Sequence, residues 1–302
     1  MQASTIGSFN AFLMITLIVL WGSSFVVVEI ALRDGLTPVA IATFRFLVAG
    51  GFFLVMLLFK KCREQDCRLL VGKEDVRTLL FLALTGVTFF FTAQYTGIQM
   101  ASAPVAAIFV CLLSPILITI LSAHIFKERF EKKQIVGIGL AIAGASTVLT
   151  RGALGFPGSM EFFLGSLILL STPVLWATYS LLGKKIMEKY SPFLVVAYVA
   201  ILGGLCLIPF SLAENSLHLI FTMSLKGWMA VLFLSLACSL FGYYIWFYVL
   251  KQVGAAVTSS FLFAEPLVTV LFSVTFIGEK LNWSILVGGL LVFIGVYLVT
   301  TR

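Results

Sequence analysis

Two charged side chains stand where charge is costly. Glu265 lies in SSFLFAEPLVTVLF with Pro266 directly after it, and Arg45 lies in IATFRFLVAG. A carboxyl group can carry a proton or hold a cation, and a guanidinium can hold an anion. At the centre of a membrane-crossing helix either group costs ~2.5–3.5 kcal/mol on insertion scales, so both are expected to face a bundle interior or a wet cavity. Pro266 has no N–H, so the carbonyl of Leu262 loses its helical partner and the helix is expected to bend or loosen there. An acid beside a loosened backbone is a candidate locus for a substrate or a coupling proton. The alternative is a packing feature, with Glu265 capping neighbouring groups. Arg45 has two candidate partners, Glu29 and Glu265, or it snorkels outward along its stem. Glu29 itself reads as an interface or pairing residue near a helix end.

Hydroxyls and aromatics supply the second constellation. Ser239, Gly242, Tyr243 and Trp246 recur at i, i+3, i+4 and i+7, which is one face of a helix. Thr88, Thr92 and Tyr95 make an equivalent face earlier in the chain. Trp21 with Ser24, and Trp176 with Tyr179, form a matched pair. Such rings either line a cavity or form a belt at the membrane interface. Tyr95, near a helix end, suits the belt, whereas Tyr243 and Trp246 lie deeper. In GAAVTSSFLF the residues Thr258, Ser259 and Ser260 are small enough to line a site or to let helices approach. The substrate-binding set is therefore Trp21, Ser24, Thr92, Tyr95, Trp176, Tyr179, Ser239, Tyr243, Trp246 and Ser260. Aromatic and hydroxyl-rich with few charges, it suits a neutral, zwitterionic or amphipathic small solute.

Other chemistries find little support. His124 and His218 are far apart and near loops, and no metal-ligand spacing or nucleophile pair appears, so neither an enzyme nor a metal site is expected. Cys62 and Cys67 have four residues between them and no second pair. Cys111, Cys206 and Cys238 lie in apolar runs, where a free thiol behaves as a small apolar residue. No cofactor is implied.

The elements that must position these residues follow from composition. Of 302 residues, 61% are hydrophobic and only 11% charged, and the mean hydropathy is +1.11. A soluble domain carries about a quarter charged residues, so this chain needs lipid around it. Runs long enough to cross a hydrocarbon core, about 20 residues each, succeed one another. We read ten, at roughly 10–31, 37–59, 76–99, 102–125, 133–150, 161–183, 192–212, 226–250, 254–277 and 282–300. Continuous rather than alternating apolarity favours helices over a barrel. From Gly254, Glu265 lies about 16 Å along the ninth span, near the middle of the core. From Thr37, Arg45 lies about 12 Å along the second. The first span has no basic leader or cleavage site and reads as a mature helix.

Charge orients the bundle. The formal net charge is +7. With ten spans and both termini inside, about 15 basic residues fall on the cytoplasmic side and about 4 outside. The basic excess thus reports orientation in the cytoplasmic membrane and not nucleic-acid binding, which needs a basic face outside the bilayer.

The chain also repeats. SPILITILSAHIFKERFEKKQIVGIGLAIAG aligns with EPLVTVLFSVTFIGEKLNWSILVGGLLVFIG, so that Pro115 meets Pro266, Glu128 meets Glu279, Gly137 meets Gly288 and Gly144 meets Gly295. LWGSSF at Trp21 resembles LWATYS at Trp176. The unit is five helices, 1–151 and 152–302. Five is odd, so the second copy enters from the opposite face. Inverted repeats of this kind are characteristic of secondary transporters, with a site near the midplane. The glycine runs GIGLAIAG and GGLLVFIG read as close helix packing and also allow a homodimer.

Taken together, the ten spans, LWGSSF, FRF and AEPL…GE resemble the EamA-like family of the drug/metabolite transporters across the whole chain. The resemblance implies a ten-helix bundle with cytoplasmic termini and a cavity bounded by helices 1, 3, 4, 6, 8 and 9. It implies export of amino acids or other small metabolites by alternating access. The family's Glu-Pro falls on Glu265 and Pro266, and its helix 2 arginine on Arg45. Ser114 and Pro115 depart from the Glu-Pro often seen in the first half. A channel or passive facilitator without ion coupling is the alternative.

Overall fold

In lipid every backbone N–H and C=O must be satisfied within the protein, so long apolar runs close on themselves as helices. The computed structural model describes residues 7–63, 71–126, 132–150, 159–253, 258 and 261–300, and these residues contain helices and no strand. α1 (Ser8–Arg33) ends at Asp34, and Gly35 adopts φ +94° to turn the chain, a conformation open to glycine at no steric cost. α2 (Pro38–Arg63) opens on a proline whose missing N–H is an orphan at that position anyway. α3 (Lys73–Met100) follows. α4 runs through Ala103–Ala107, Ile108–Leu112 and Leu113–Phe126, and α5 is Lys132–Leu149. α6 (Met160–Ile186) is interrupted just before Pro173. α7 (Pro192–Ala213) and α8 (Leu225–Val253) are capped by the Ser191 and Ser224 hydroxyls. α9 comprises Phe261–Ala264, Glu265–Phe272 and Ser273–Ile277, and ends on Gly278 at φ +69°. α10 is Trp283–Thr300.

Among the described residues, six helices are long and apolar enough to cross a membrane, and Ala103–Ile118, Phe261–Ile277 and Trp283–Val299 are shorter apolar helices. Large apolar side chains such as Phe9, Phe59, Leu267, Phe276 and Leu290 face outward, as lipid-facing residues do. Of the ninth span expected from Gly254, residues 254–257, 259 and 260 lie outside the described residues, and the continuous helical stretch starts at Phe261; Cys67 also lies outside them.

Asn10 donates to Gln252 at the end where α1 begins, here called proximal, and Ser224 donates to Asp34 at the opposite, distal end. α8 therefore runs against α1. α6 also starts distally, since a Cβ on Gly165 would lie 2.5 Å from Cβ of Met100 at the end of α3.

Three features of the packing place the site. α1 approaches α9 closely at Gly22, where a Cβ would lie 2.7 Å from Cβ of Val268. α3 and α8 widen into π-helical turns at Leu84–Thr88 and Phe233–Gly242; such turns often mark functional positions. α5 and α10 pack face to face, with a Cβ on Gly137 falling 2.5 Å from the Gly295 oxygen and one on Gly144 falling 2.5 Å from the Gly288 oxygen. The glycine runs singled out in the sequence thus meet each other within one chain.

Candidate functional site

A cavity lies among α1, α2, α3, α4, α6, α8 and α9. Its wall is mostly aromatic, with Trp21, Phe90, Phe91, Trp176 and Tyr243, and its polar members include Ser24, Arg45, Gln94, Cys111 and Glu265. Of the sequence candidates, Trp21, Ser24, Arg45, Trp176, Tyr243 and Glu265 line it.

The rings are built around Trp21. Gly242 leaves room for it, since a Cβ there would sit 2.4 Å from the indole nitrogen. The indole N–H donates to the Cys238 carbonyl at 3.0 Å, within the π-helical stretch of α8. The reverse contact comes from α8 to α3: Tyr243 donates to the Gly86 carbonyl at 3.2 Å, within the π-helical turn of α3. Trp21 meets Trp176 edge to face at 5.5 Å and Tyr243 at 5.7 Å. These are favourable aromatic geometries. Trp246 lies 5.6 Å from Trp21 and 5.5 Å from Trp176, and Tyr179 lies 5.4 Å from Trp176. Both are fully buried behind the wall.

Arg45 is 2% exposed. Its Nε donates to Ser239 Oγ at 2.7 Å, and its Nη1 donates to the Tyr95 hydroxyl. Its Cζ lies 4.4 Å from the centroid of Phe91 and 5.2 Å from that of Phe46, within cation–π range. The two carboxylates considered as partners are not used. Glu29 bonds Arg33 at 2.6 Å and accepts from the Ala103 N–H at 3.3 Å. Glu265, also 2% exposed, accepts at Oε2 from the Cys111 thiol at 3.1 Å. Tyr95, which suited an interfacial belt, is 1% exposed and belongs to the Arg45 cluster. Of the alternatives for Arg45, neither acid is its hydrogen-bond partner and the side chain does not reach outward; hydroxyl oxygens from two other helices bond it instead.

The remaining candidates are placed as follows. Thr92 returns its hydroxyl to the Thr88 carbonyl at 2.7 Å, and Ser24 bonds the Trp21 carbonyl at 2.6 Å. Thr258 is buried. Ser260 lies outside the described residues. Pro266 sits in the first turn of Glu265–Phe272, after the 3₁₀ turn Phe261–Ala264, so the acid opens a new helical segment. Five buried polar atoms in or beside the wall have no hydrogen-bond partner: Gln94 Oε1, Trp176 Nε1, Tyr179 Oη, Trp246 Nε1 and Glu265 Oε1. Gln94 was not singled out in the sequence, and Cys111 was read there only as a small apolar residue. The lone amide in FFFTAQYTG was a usable signal for the first; nothing marked the thiol.

Polar contacts also gather at the two ends. Proximally, Tyr190 accepts from the Gly72 N–H at 3.1 Å and donates to Asp75 at 2.9 Å, while Lys189 reaches Asp75 at 3.1 Å. The Asp75 hydrogen bond holds the Lys189 pKa above its ordinary value. Distally, burial and then the neighbouring Glu29 raise the pKa of Glu279.

The sequence profile of the EamA-like transporter family matches residues 8–150 and again 163–301. The chain belongs to the EamA-like transporter family. It is a multi-pass membrane protein of a transporter family. Over 94% of its length it is 29% identical to an uncharacterized transporter of Archaeoglobus fulgidus, covering 94% of that protein. Over 96% it is 26% identical to a Salmonella typhimurium protein named "Probable amino-acid metabolite efflux pump", covering 94% of it. A solved crystal structure matches over 97% of both chains with a TM-score of 0.63 at 20% identity, which bears on the fold alone.

Proposed function

We propose that the protein is a secondary transporter that exports small metabolites, of amino-acid or amphipathic character, across the cytoplasmic membrane by alternating access. The observation that carries this reading is the cavity, whose wall combines rings from both halves with a guanidinium and a carboxyl group. A transport site must be built by both halves, because each opening of the site is a different packing of one half against the other.

The transport domain is ten spans in two inverted five-helix repeats, 1–151 and 152–302, with both termini cytoplasmic. Several contacts support the repeat. Trp21 and its counterpart Trp176 touch. The matched helices α3 and α8 both carry π-helical turns. Gly137 meets Gly295 while their counterparts Gly288 and Gly144 meet each other, which is the reciprocity of a two-fold interface. The printed name of the Salmonella relative supports export of an amino-acid metabolite.

Comparative profiling of the medium from cells with and without the chain tests the reading. An accumulated solute, reproduced as flux in proteoliposomes, is expected. No flux of any accumulated solute through purified protein would sink it.

A further inference from the structure

We propose that Arg45 is the anchor for a carboxylate group of the transported solute. The proposal rests on the reading of the cavity as a transport site and adds the charge class of its occupant.

A guanidinium has no neutral form available in a protein, so Arg45 is a permanent positive charge. It lies on the cavity wall and is almost fully enclosed. Among the described residues no carboxylate lies within ion-pair distance of it; the partners it has, Ser239 and Tyr95, are neutral hydroxyls. Hydroxyl oxygens satisfy two donors but do not cancel the charge, and an uncompensated buried charge is costly. The third nitrogen of the fork, Nη2, has no acceptor among the described residues. Phe91 and Phe46 lie against the guanidinium at 4.4 and 5.2 Å, while Ser239 and Tyr95 fix Nε and Nη1. A planar fork fixed in this way fits a carboxylate.

Glu265 does not compete for the role of anchor. A carboxyl group can shed its charge by taking a proton, so its burial does not require a counter-ion. Its carboxyl group accepts from the uncharged Cys111 thiol. The charge that the cavity cannot lose is therefore the single positive one, and a monoanionic group balances it. A phosphate dianion would bring one charge too many. The rest of the wall, with Trp21, Trp176, Phe90 and Tyr243, takes an apolar or aromatic body.

Three probes with one body and different heads test the assignment: 3-phenylpropionate, 3-phenylpropylamine and 3-phenylpropan-1-ol. Their affinities for the full-length protein in detergent are read from the shift of the unfolding midpoint with probe concentration. The carboxylate is expected to bind at least about tenfold more tightly than the amine or the alcohol. Arg45→Gln is expected to bring the carboxylate to the level of the alcohol. Arg45→Lys is expected to keep the order of the three at lower affinity, since the point charge survives but the fork does not. The assignment is overturned if the amine or alcohol binds as tightly as the carboxylate, if none of the three shifts the midpoint, or if Arg45→Gln keeps the preference. Should Arg45→Gln fail to fold, the wild-type series and Arg45→Lys still decide. Binding is read without a membrane, so intact selectivity without flux in proteoliposomes would sink the transport reading alone.

Discussion

Glu265 and Arg45 show what a lone residue type can and cannot reveal. Their burial was legible, because a charge inside an apolar run has nowhere else to go. Their partners were not. Reasoning from the sequence pairs opposite charges, whereas Arg45 is held by Tyr95 and Ser239, which are 50 and 194 residues away. Only the packing of α2 between α3 and α8 brings them together. Cys111 was hidden for a similar reason: a thiol in an apolar run looks like a small side chain until a carboxyl oxygen is found 3.1 Å from it. Glu265 can be tested by replacement with glutamine. Gln keeps its shape and removes its ability to exchange a proton. If the acid couples transport to protons, Glu265→Gln abolishes the pH dependence of flux while solute still binds. Flux assayed across a pH series in proteoliposomes decides, and unchanged pH dependence in a normally expressed variant excludes the acid as coupling group.

At the scale of elements, the helices were legible because each apolar run is as long as a membrane is thick. The π-helical turns in α3 and α8 were not, since no residue type encodes an i→i+5 step; within them the carbonyls of Gly86 and Cys238 accept from Tyr243 and Trp21. The connection after α9 gives a titration to measure. Glu279 has its pKa raised by burial and by Glu29. A carboxyl group with a folded-state pKa above the unfolded one contributes most at low pH, and that contribution is lost as pH rises through the folded value. Glu279→Gln, neutral throughout, is therefore expected to raise the unfolding midpoint at pH 8 and to change it little at pH 4. An equal shift at both pH values would show that charge is not the cause. At the proximal end, Tyr190→Phe loses the bonds to Gly72 and Asp75. One is neutral and the other goes to a carboxylate, so a lower unfolding midpoint in detergent is expected. A midpoint equal to wild type would show that solvent replaces both bonds.

For the whole molecule, orientation comes from the basic residues that crowd one side of the proposed topology. With both termini inside, Cys62 and Cys67 in intact cells are expected to resist a membrane-impermeant thiol reagent. Ready labelling from outside would reverse the orientation. The repeat was visible in the sequence as matched prolines and glycines at one offset, but not which faces would meet, because a helix carrying small residues can approach any neighbour.

That meeting makes mutations in the two halves depend on one another. A methyl group at Gly137 strikes the carbonyl of Gly295, and a methyl group at Gly295 strikes the carbonyl of Gly137, each at 2.5 Å. Either Ala substitution alone must push α5 and α10 apart, at about 1–3 kcal/mol for overpacking. Once the first has opened the gap, the second enters space already made. The pair Gly137→Ala with Gly295→Ala is thus expected to show positive epistasis, losing less than the sum of the singles in unfolding midpoint. The same holds for Gly144 with Gly288, whereas Gly137 with Gly144, on separate contacts, should come closer to adding. A history of substitutions along this seam would accordingly be written in pairs, one from each half of the chain.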